Sequence, residues 1–413
     1  MLLAVELKGS RPSWPVSRSL AELKNLVETA GAEVVGSQVQ RVVSFSPSHL
    51  AGKGKVEELK TLRDELKFNV LVLDNELTPT QERTLEQELK VKVLDRSAVI
   101  LDIFAQRAHT HEAKLQVELA QLEYMLPRMT GLGNVLSRLG AGIGTRGPGE
   151  TQIESDRRRI RHRVAVLHRE IEEVRQGRRL HRAHRDRQGI PVVSLVGYTN
   201  AGKSTLMNAL TAAGVVVENK LFATLEPTTR RMELTSGQVA LLTDTVGFIQ
   251  KLPAKLAAAF RATLEELEEA SLLLVVVDIS DPDHLKQYDT VIQTIADLKL
   301  HEKPAVVALN KIDRLSELPA SLLDDYPDSI AISAEHGIGL DALREAIART
   351  LNEESLEVAV RIPFDRTELV SLFRERGNIE SERHSSRGTI LRGRLPKSLW
   401  RQFQPFEAVT PAQ

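Results

Sequence analysis

Cysteine is absent from this 413-residue chain, and aromatic residues make up only 4% of it. The absence of cysteine excludes disulfide bonds and thiolate metal sites, and it favours a reducing compartment. No apolar run approaches the ~18 residues that a membrane-spanning helix needs. The N-terminus, MLLAVELKGSRP, lacks the basic start and long apolar core of a signal peptide. We therefore expect a soluble, cytoplasmic protein with no membrane span.

Neither sign of charge predominates, because the chain has 55 basic and 56 acidic residues and its formal net charge is −1. The overall charge therefore does not indicate a nucleic-acid-binding protein, although a local basic segment still could. The hydrophobic content of 42% is sufficient for buried cores. The length predicts roughly two to four domains.

An apolar run followed by a glycine-containing loop lies near the middle of the chain. Val193–Thr205 reads VSLVGYTNAGKST, which contains the G-x-x-x-x-G-K-[ST] pattern of a phosphate-binding loop. Glycines let successive N–H groups turn toward a polyphosphate, the lysine supplies a charge beside the β- and γ-phosphates, and the serine hydroxyl suits one Mg²⁺ position. The predicted nucleotide contacts here, with Lys203 also catalytic and Ser204 also a metal ligand, are Gly197, Tyr198, Thr199, Asn200, Ala201, Gly202, Lys203, Ser204 and Thr205.

A second stretch with the chemistry of a nucleotide site follows the apolar run Val239–Leu242. It comprises Asp244, Thr245, Val246 and Gly247. We expect the Asp244 carboxylate to approach Mg²⁺ through water and the Gly247 N–H to contact the γ-phosphate, which makes Gly247 a candidate catalytic residue.

Two later stretches predict recognition of guanine. They follow apolar runs and consist of Asn310, Lys311, Ile312 and Asp313, and of Ser333, Ala334 and Glu335. The Asp313 carboxylate can accept hydrogen bonds from guanine N1–H and the 2-amino group. Adenine lacks that pair of donors, and an unmatched carboxylate would cost about 1–3 kcal/mol or more. Lys311 can lay its stem along the base, and a backbone N–H of the second stretch can reach guanine O6.

The remaining segments predict three further domains around a GTPase domain at 190–352, whose sheet we expect to be six-stranded and mostly parallel. Short strands and helices alternate over 1–105, which indicates a small α/β domain; Glu33–Val35 and Val42–Phe45 are among its predicted strands. The sequence GKGK at 52–55 is interpreted as a basic loop or an anion site. Residues 353–413 predict a small α+β domain that serves for packing or docking.

Residues 106–189 carry two apolar helical stripes separated by a glycine-rich loop, which predicts an antiparallel helical hairpin. The second helix is rich in arginine. A solvated, salt-bridged helix face and a nucleic-acid contact are both compatible with this composition. The candidate RNA-contacting residues are Arg138, Arg146, Arg157, Arg158 and Arg159.

The sequences GYTNAGKSTLMNALT, LFATLEPTTRR, DTVGFIQKLP and NKID resemble those of the HflX family of translation-associated GTPases. The upstream sequences GKGKVEEL and GAGIGTRGPGETQIESDRR are similar to signatures of the same family, so the resemblance covers roughly residues 30–350. It implies a GTP-hydrolysing P-loop GTPase that binds GTP and GDP, uses Mg²⁺, and associates with the large (50S) ribosomal subunit and its rRNA. It also implies splitting or rescue of stalled ribosomes, with the hairpin tip near 140–149 against rRNA.

The resemblance further implies a first switch segment made of Phe222, Ala223, Thr224, Leu225 and Glu226. Thr224 would be a catalytic residue and the second hydroxyl ligand of Mg²⁺, although Thr228 and Thr229 are chemically equal candidates. Family members also bind ATP through the N-terminal domain, and asparagine at the position of Asn200 seats K⁺ in several similar GTPases. We expect a monomer.

Phe248 follows Gly247 where many GTPases have a glutamine that orients the attacking water, so we expect slow hydrolysis in the free protein. Activation by K⁺ and activation by the ribosome are both open. Two other functions compete with ribosome splitting: an RNA-chaperone or ribosome-assembly GTPase, and a GTPase switch for protein partners without RNA contact.

Overall fold

The computed structural model describes residues 1–9, 14–129, 148–188, 190–211, 221–222, 224–235, 238–251, 267–317, 322, 325–353, 355–396 and 399–408. The chain forms two compact units. The first contains Met1–Val174, Asn219–Leu225 and Gln250–Arg261, and the second contains Arg175–Glu218, Glu226–Ile249 and Ala262–Gln413. Within these described residues, no helix is both long and apolar enough to cross a membrane.

A four-stranded parallel sheet with the order β2-β1-β3-β4 forms the N-terminal part of the first unit. Its apolar side chains pack against the flanking helices to form one core. The elements in chain order are β1 (Leu2–Leu7), α1 (Val16–Thr29), β2 (Ser37–Val42), α2 (Lys53–Leu66), β3 (Val70–Leu73), α3 (Pro79–Leu89), β4 (Lys92–Asp95) and α4 (Arg96–Arg107).

The first strands of this sheet differ from the prediction. Glu33–Val35 is not a strand, and β2 ends where the second predicted strand, Val42–Phe45, was to begin. β2 is an edge strand whose residues alternate between exposed and half-buried positions, so its sequence SQVQRV carries no apolar run. Backbone pairing with β1 rather than side-chain burial stabilises it, which is why its pattern was weak.

A buried charge cluster joins α1, β3 and α4 within the first unit. Arg96 is 1% exposed and forms ion pairs with Asp74 at 2.9 Å and with Glu22 at 2.8 Å. Lys251 also pairs with Asp74 and donates a hydrogen bond to Ser19 Oγ at 2.9 Å. Lys251 and Arg96 lower the pKa of Asp74 against the opposing effect of its burial. The cluster therefore ties the segment that begins at residue 250 to the N-terminal sheet.

The two predicted helices of the middle segment are present as α5 (His111–Arg128) and α6 (Pro148–Gln188). Their apolar stripes form one core, in which Leu115 and Leu119 of α5 pack with Leu167 and Ile171 of α6. Arg163 donates to both oxygens of Glu118, at 2.7 and 2.8 Å. The glycine-rich connection between the helices lies outside the described residues.

A six-stranded sheet of order β10-β9-β8-β5-β7-β6 forms the core of the second unit, and only β6 runs antiparallel to its neighbour. The fold-class prediction of a mostly parallel sheet is therefore confirmed. Its elements are β5 (Val192–Gly197), α7 (Lys203–Thr211), β6 (Thr228–Glu233), β7 (Val239–Asp244), β8 (Leu272–Asp278), α8 (His284–Asp297), β9 (Ala305–Asn310), β10 (Ile330–Ala331) and α9 (Leu340–Glu353).

The C-terminal segment forms an antiparallel sheet of order β11-β13-β12. Helix α10 packs with the sheet around a separate core. The elements are β11 (Ser355–Ile362), α10 (Thr367–Arg376), β12 (Asn378–Ser385), β13 (Gly388–Pro396) and α11 (Trp400–Phe403). β12 had no counterpart in the sequence-based prediction, because NIESERHS contains one apolar residue.

Candidate nucleotide-binding site

The predicted phosphate-binding loop connects the end of β5 to the start of α7. A side chain at Gly197 is excluded, since a Cβ there would lie 2.4 Å from Val276 O on β8. Gly202 has a φ of +95°, and a Cβ would lie 2.3 Å from Asn310 Nδ2. The loop thus passes closely over two neighbouring strands, and glycine is required at both positions. The N-terminal end of α7 points its free N–H groups to the same place, which favours an anion.

Lys203, the first residue of α7, is buried and 6% exposed. Its ammonium donates hydrogen bonds to Tyr198 O at 2.9 Å and to Gly197 O at 3.2 Å. Burial lowers the pKa of Lys203 to about 8, and the carboxylate of Asp244 opposes that shift. The carbonyls of the loop therefore hold a positive charge that is poorly solvated and suited to pair with a phosphate.

Ser204 and Asp244 adjoin each other although 40 residues separate them, because α7 and β7 meet at the edge of the sheet. Ser204 Oγ donates to Asp244 Oδ2 at 2.7 Å. A hydroxyl and a carboxylate are the oxygen ligands that Mg²⁺ prefers, so these residues fit the metal of a nucleotide site. No cluster of three or more His, Asp or Glu side chains able to hold a metal occurs in the described part of the chain.

Gly247 lies directly against the phosphate loop. A Cβ at this position would lie 2.9 Å from both Lys203 Nζ and Thr199 Cα. The next residue, Phe248, is 4% exposed, and its main chain pairs with the loop: Phe248 N–H donates to Gly197 O at 3.0 Å, and Thr199 N–H donates to Phe248 O at 2.8 Å. The main chain of Phe248 thus holds the segment after Gly247 against the phosphate loop.

Asn310, at the end of β9, joins the phosphate loop to the last predicted stretch. Its Nδ2 donates to Ala201 O at 2.9 Å, and its Oδ1 accepts from Ala334 N–H at 3.0 Å. Lys311, with a φ of +66°, follows and donates from Nζ to Asn200 O at 2.9 Å and to Asp278 Oδ2 at 2.6 Å. Three separate segments of the sequence are therefore held together at one edge of the sheet.

Asp313 lies in a short 3-10 turn, Ile312–Arg314, beside the Ser333 loop. Ser333 Oγ donates to Asp313 Oδ1 at 2.6 Å, and this hydrogen bond lowers the pKa of Asp313. Asp313 Oδ2 lies 3.9 Å from His336 Nε2. The carboxylate is therefore ionised at neutral pH and oriented by its neighbour.

Asp278 and His336 were not selected from the sequence. Asp278 ends the buried strand LLLVVVD, and a carboxylate at the C-terminal end of a central parallel strand was a usable signal. His336 has no comparable signal, since only the turn after Ser333 brings it near Asp313. Thr245 Oγ1 donates to Leu195 O at 2.6 Å, so its hydroxyl is used within the sheet.

The remaining predicted residues belong to different parts of the chain. Phe222 and Thr224 belong to the first unit, where the Phe222 ring contacts Phe104 with centroids 4.7 Å apart, while Glu226 belongs to the second. Ala223, Arg138 and Arg146 lie outside the described residues. Arg157 is half-buried on α6, whereas Arg158 and Arg159 are exposed. The roles of all these residues stay predictions.

The GKGK sequence begins α2, with Gly52 at its N-cap and no side-chain cap. Lys55 Nζ pairs with Glu58 at 2.7 Å and donates to Gln38 Oε1 at 3.3 Å. Of the two lysines in this sequence, Lys55 is thus already compensated by an acid. ATP binding at this segment stays a prediction.

These features define a P-loop GTPase. Family models match most of the chain: "GTP-binding GTPase N-terminal" at residues 17–105, "GTP-binding GTPase Middle Region" at 107–185 and "50S ribosome-binding GTPase" at 192–311. GTPase HflX of Caldanaerobacter subterraneus subsp. tengcongensis is 47% identical over 94% of this chain and 90% of its own length. GTPase HflX of Escherichia coli K12 is 40% identical over 93% of this chain and 91% of its own length.

The chain therefore belongs to the HflX family of GTPases. It is a ribosome-associated, GTP-hydrolysing enzyme, and the predictions of family and enzyme class are confirmed. GTPases of this family generally use Mg²⁺. Among solved structures, a GTP-binding protein from the archaeon Sulfolobus solfataricus in complex with GDP has a TM-score of 0.45 and 25% identity, covering 85% of this chain and 99% of that one.

The depressed pKa of Lys203 predicts that triphosphate affinity falls at alkaline pH. Below a pH of about 8 the ammonium of the free protein is charged, and above it the proton must be taken up on binding. We expect GTP affinity at pH 9 to be about tenfold weaker than at pH 7, with proton uptake visible by calorimetry in buffers of different ionisation enthalpy.

Lys203→Arg is the control for this prediction, because a guanidinium stays charged throughout that range. We expect the GTP affinity of this variant, whatever its absolute value, to be the same at pH 7 and at pH 9. An unchanged slope in Lys203→Arg would assign the pH effect to another group.

Proposed function

We propose that GTP bound at this site governs attachment of the protein to the large (50S) ribosomal subunit, and that the protein splits or rescues stalled ribosomes. The observation that carries the proposal is the pair of hydrogen bonds made by Asn310. They link the phosphate loop to the segment beside Asp313, so occupation of the phosphate site and recognition of the base act on one connected structure.

In the proposed complex, Asp313 accepts hydrogen bonds from guanine N1–H and the 2-amino group while Ser333 holds the carboxylate in place. The stem of Lys311 lies along the base, since its ammonium already reaches back to Asn200 O and Asp278. Lys203 pairs with the β- and γ-phosphates. Ser204, with Thr224 and through water Asp244, would hold Mg²⁺, which neutralises phosphate charge when bound.

Replacement of Asp313 by asparagine tests base recognition. In Asp313→Asn, an amide NH₂ would face the guanine 2-amino group, donor against donor, whereas xanthine presents a carbonyl oxygen at that position. We expect GTP affinity to fall about 100-fold, and xanthosine triphosphate to bind better than GTP, in a competition assay with a fluorescent nucleotide.

The matched control is Asp341→Asn, which alters an exposed carboxylate in the first turn of α9. It should leave the GTP:ATP:XTP ranking of the wild type unchanged. A GTP affinity in Asp313→Asn equal to that of the control would exclude Asp313 as the base-recognising residue.

Hydrolysis needs an activator in this proposal, because Phe248 is buried and has no hydrogen-bonding side chain to orient water. Asn200 is one route: its side chain is exposed, its φ is +63°, and its oxygen could ligate K⁺ beside the phosphates. The large subunit is the other route. Lys251 lies four residues after Gly247 and pairs with Asp74, which follows β3 of the N-terminal sheet, so a change at that sheet can reach Lys251 by direct contact.

The two routes are separated by measuring GTP hydrolysis in equimolar K⁺ and Na⁺, with and without purified large subunits. We expect K⁺ to raise the basal rate and large subunits to raise it further. Lys251→Met is expected to keep the K⁺ effect and to lose most of the stimulation by subunits, because its contact with Asp74 is removed.

Lys299→Met is the control, since Lys299 is also an exposed lysine with a positive φ, +61° against +54° for Lys251. Equal rates in K⁺ and Na⁺ would exclude the first route. Rates indifferent to large subunits would exclude the second, and full stimulation of Lys251→Met would exclude the proposed contact.

The rRNA contact is proposed for the arginine-rich helix α6 and the glycine-rich sequence that precedes it, at Arg138, Arg146 and Arg157–Arg159. Among the residues that the structure describes, Arg159 pairs only with Asp156, one turn away at 3.6 Å, and an exposed pair of this kind is worth little. Arg163, by contrast, is committed to Glu118. The residues proposed to contact RNA therefore differ from those that join the two helices.

Co-sedimentation with purified large subunits tests the whole proposal. We expect binding in the presence of a non-hydrolysable GTP analogue, weaker binding with GDP, and a steep loss between 50 and 200 mM salt, as phosphate contacts require. Arg157→Glu/Arg158→Glu/Arg159→Glu should weaken binding and flatten the salt dependence.

Each competing function predicts a different outcome. Attachment independent of salt would favour a switch for protein partners. Immature particles in a strain lacking the protein, with no conversion of whole ribosomes to subunits by the purified protein, would favour an assembly factor. Attachment independent of the nucleotide would contradict control by GTP.

A further inference from the structure

The C-terminal sheet has one covered face and one open face. On the covered face, alternate residues of β11 and β13 are buried and pack with Phe373 of α10 and Phe403 of α11. These strand residues are Val358, Val360, Ile362, Leu391 and Leu395. This packing stabilises the domain. The residues that alternate with these buried ones along each strand lie on the other face.

Four arginines are exposed on that open face: Arg361, Arg383, Arg392 and Arg394. The strand register places them close together, because Arg361 of β11 and Arg383 of β12 both lie opposite Ile390 of β13. Arg392 and Arg394 follow on β13 at two-residue steps. None of the four forms an ion pair with another described residue. We call these four residues the arginine face.

The surroundings of Arg392 leave its guanidinium accessible. Its cross-strand neighbours are the small residues Ala359 and Ser381. Glu357 lies opposite Arg394 and is the acidic residue in register with the arginine face. Glu382, by contrast, is in register with the buried Leu391 and pairs with Arg374 of α10, so it belongs to the covered side.

We propose that the arginine face binds the sugar-phosphate backbone of RNA. Guanidinium groups bind phosphate oxygens in a bidentate manner. Arg392 and Arg394 lie two positions apart on β13, about 6.6 Å, which suits successive phosphates of one RNA strand. Ile390 is the one large apolar residue in register between these arginines, and the face lacks the aromatic anchor on which protein–protein interfaces generally depend.

The same lack of aromatic side chains makes the contact independent of base sequence. Single-stranded RNA is commonly read by stacking bases on aromatic residues of a sheet, and none is in register with the arginine face. Recognition therefore rests on phosphate charge and is steeply salt-dependent. It adds a second RNA contact to the GTP-controlled attachment of the proposed function, and this contact by itself forms without bound nucleotide.

The test uses the full-length protein and two probes, a 20-nucleotide RNA strand of mixed sequence and a 20-base-pair RNA duplex. Affinity is measured by fluorescence anisotropy between 50 and 200 mM salt without nucleotide, for wild type and for Arg392→Gln/Arg394→Gln. We expect the double variant to bind at least tenfold more weakly at 50 mM salt. The slope of log K against log[salt] should fall by about 1.4 to 1.8, two phosphate contacts fewer.

Arg366→Gln/Arg401→Gln is the matched control, since it removes two exposed arginines of the same domain that lie outside strands β11, β12 and β13. It should bind as the wild type does. Both double variants should keep the wild-type GTPase rate and melting temperature, which separates loss of this contact from loss of the nucleotide site or of folding.

Three outcomes would overturn the proposal. The first is an affinity and salt slope of the Arg392/Arg394 variant equal to those of the control. The second is a preference of the wild type for one base sequence beyond about threefold that the variant loses, which would require base contacts. The third is unchanged RNA binding together with lost binding to an acidic polypeptide such as polyglutamate, which would assign the face to a protein partner.

Discussion

Asn310 makes the contact on which the nucleotide site depends. It is 2% exposed, and its side-chain amide satisfies a carbonyl of the phosphate loop and an N–H of the loop after β10. Leaving two buried main-chain groups without partners would cost about 1–3 kcal/mol each. Asn310 therefore joins the phosphate loop, next to Lys203, to the Ser333 loop that holds Asp313, although it touches neither end of the nucleotide in the proposed complex.

Burial and neighbouring charges determine the pKa values of Lys203 and Asp74. Lys203 is desolvated without a full counter-charge, so its pKa falls and it is ready to accept a phosphate partner. Asp74 is also buried, but it faces both Arg96 and Lys251. These two cations favour the charged form, so the pKa of Asp74 falls and the carboxylate stays ionised. The first arrangement suits ligand binding, and the second suits a permanent connection between the N-terminal sheet and the segment after Gly247.

Sequence-based prediction succeeded for segments whose residue types and short spacing define a motif, and it failed for strands that are stabilised mainly by backbone hydrogen bonds to a neighbouring strand. The phosphate loop, the Asp244 segment and the Asn310–Asp313 segment each follow an apolar strand, so their positions at one sheet edge could be expected. β2 and β12 were missed because edge strands with polar sequences depend on backbone hydrogen bonds to a neighbour. The C-terminal domain was interpreted as a packing module because its arginines lie apart in sequence and meet only through strand register.

The amino-acid sequence by itself determined the class of the protein, the guanine-type motif and the phenylalanine that follows Gly247. These features depend on residue identity and short spacing, which folding does not alter. Only the tertiary structure decided that Asp278 is the counter-ion of Lys311, that Lys251 is held by Asp74, and that four arginines share one sheet face. Those contacts join residues tens to hundreds of positions apart. Their partners cannot be read from spacing in the sequence, because only the folded chain brings such distant charged side chains together.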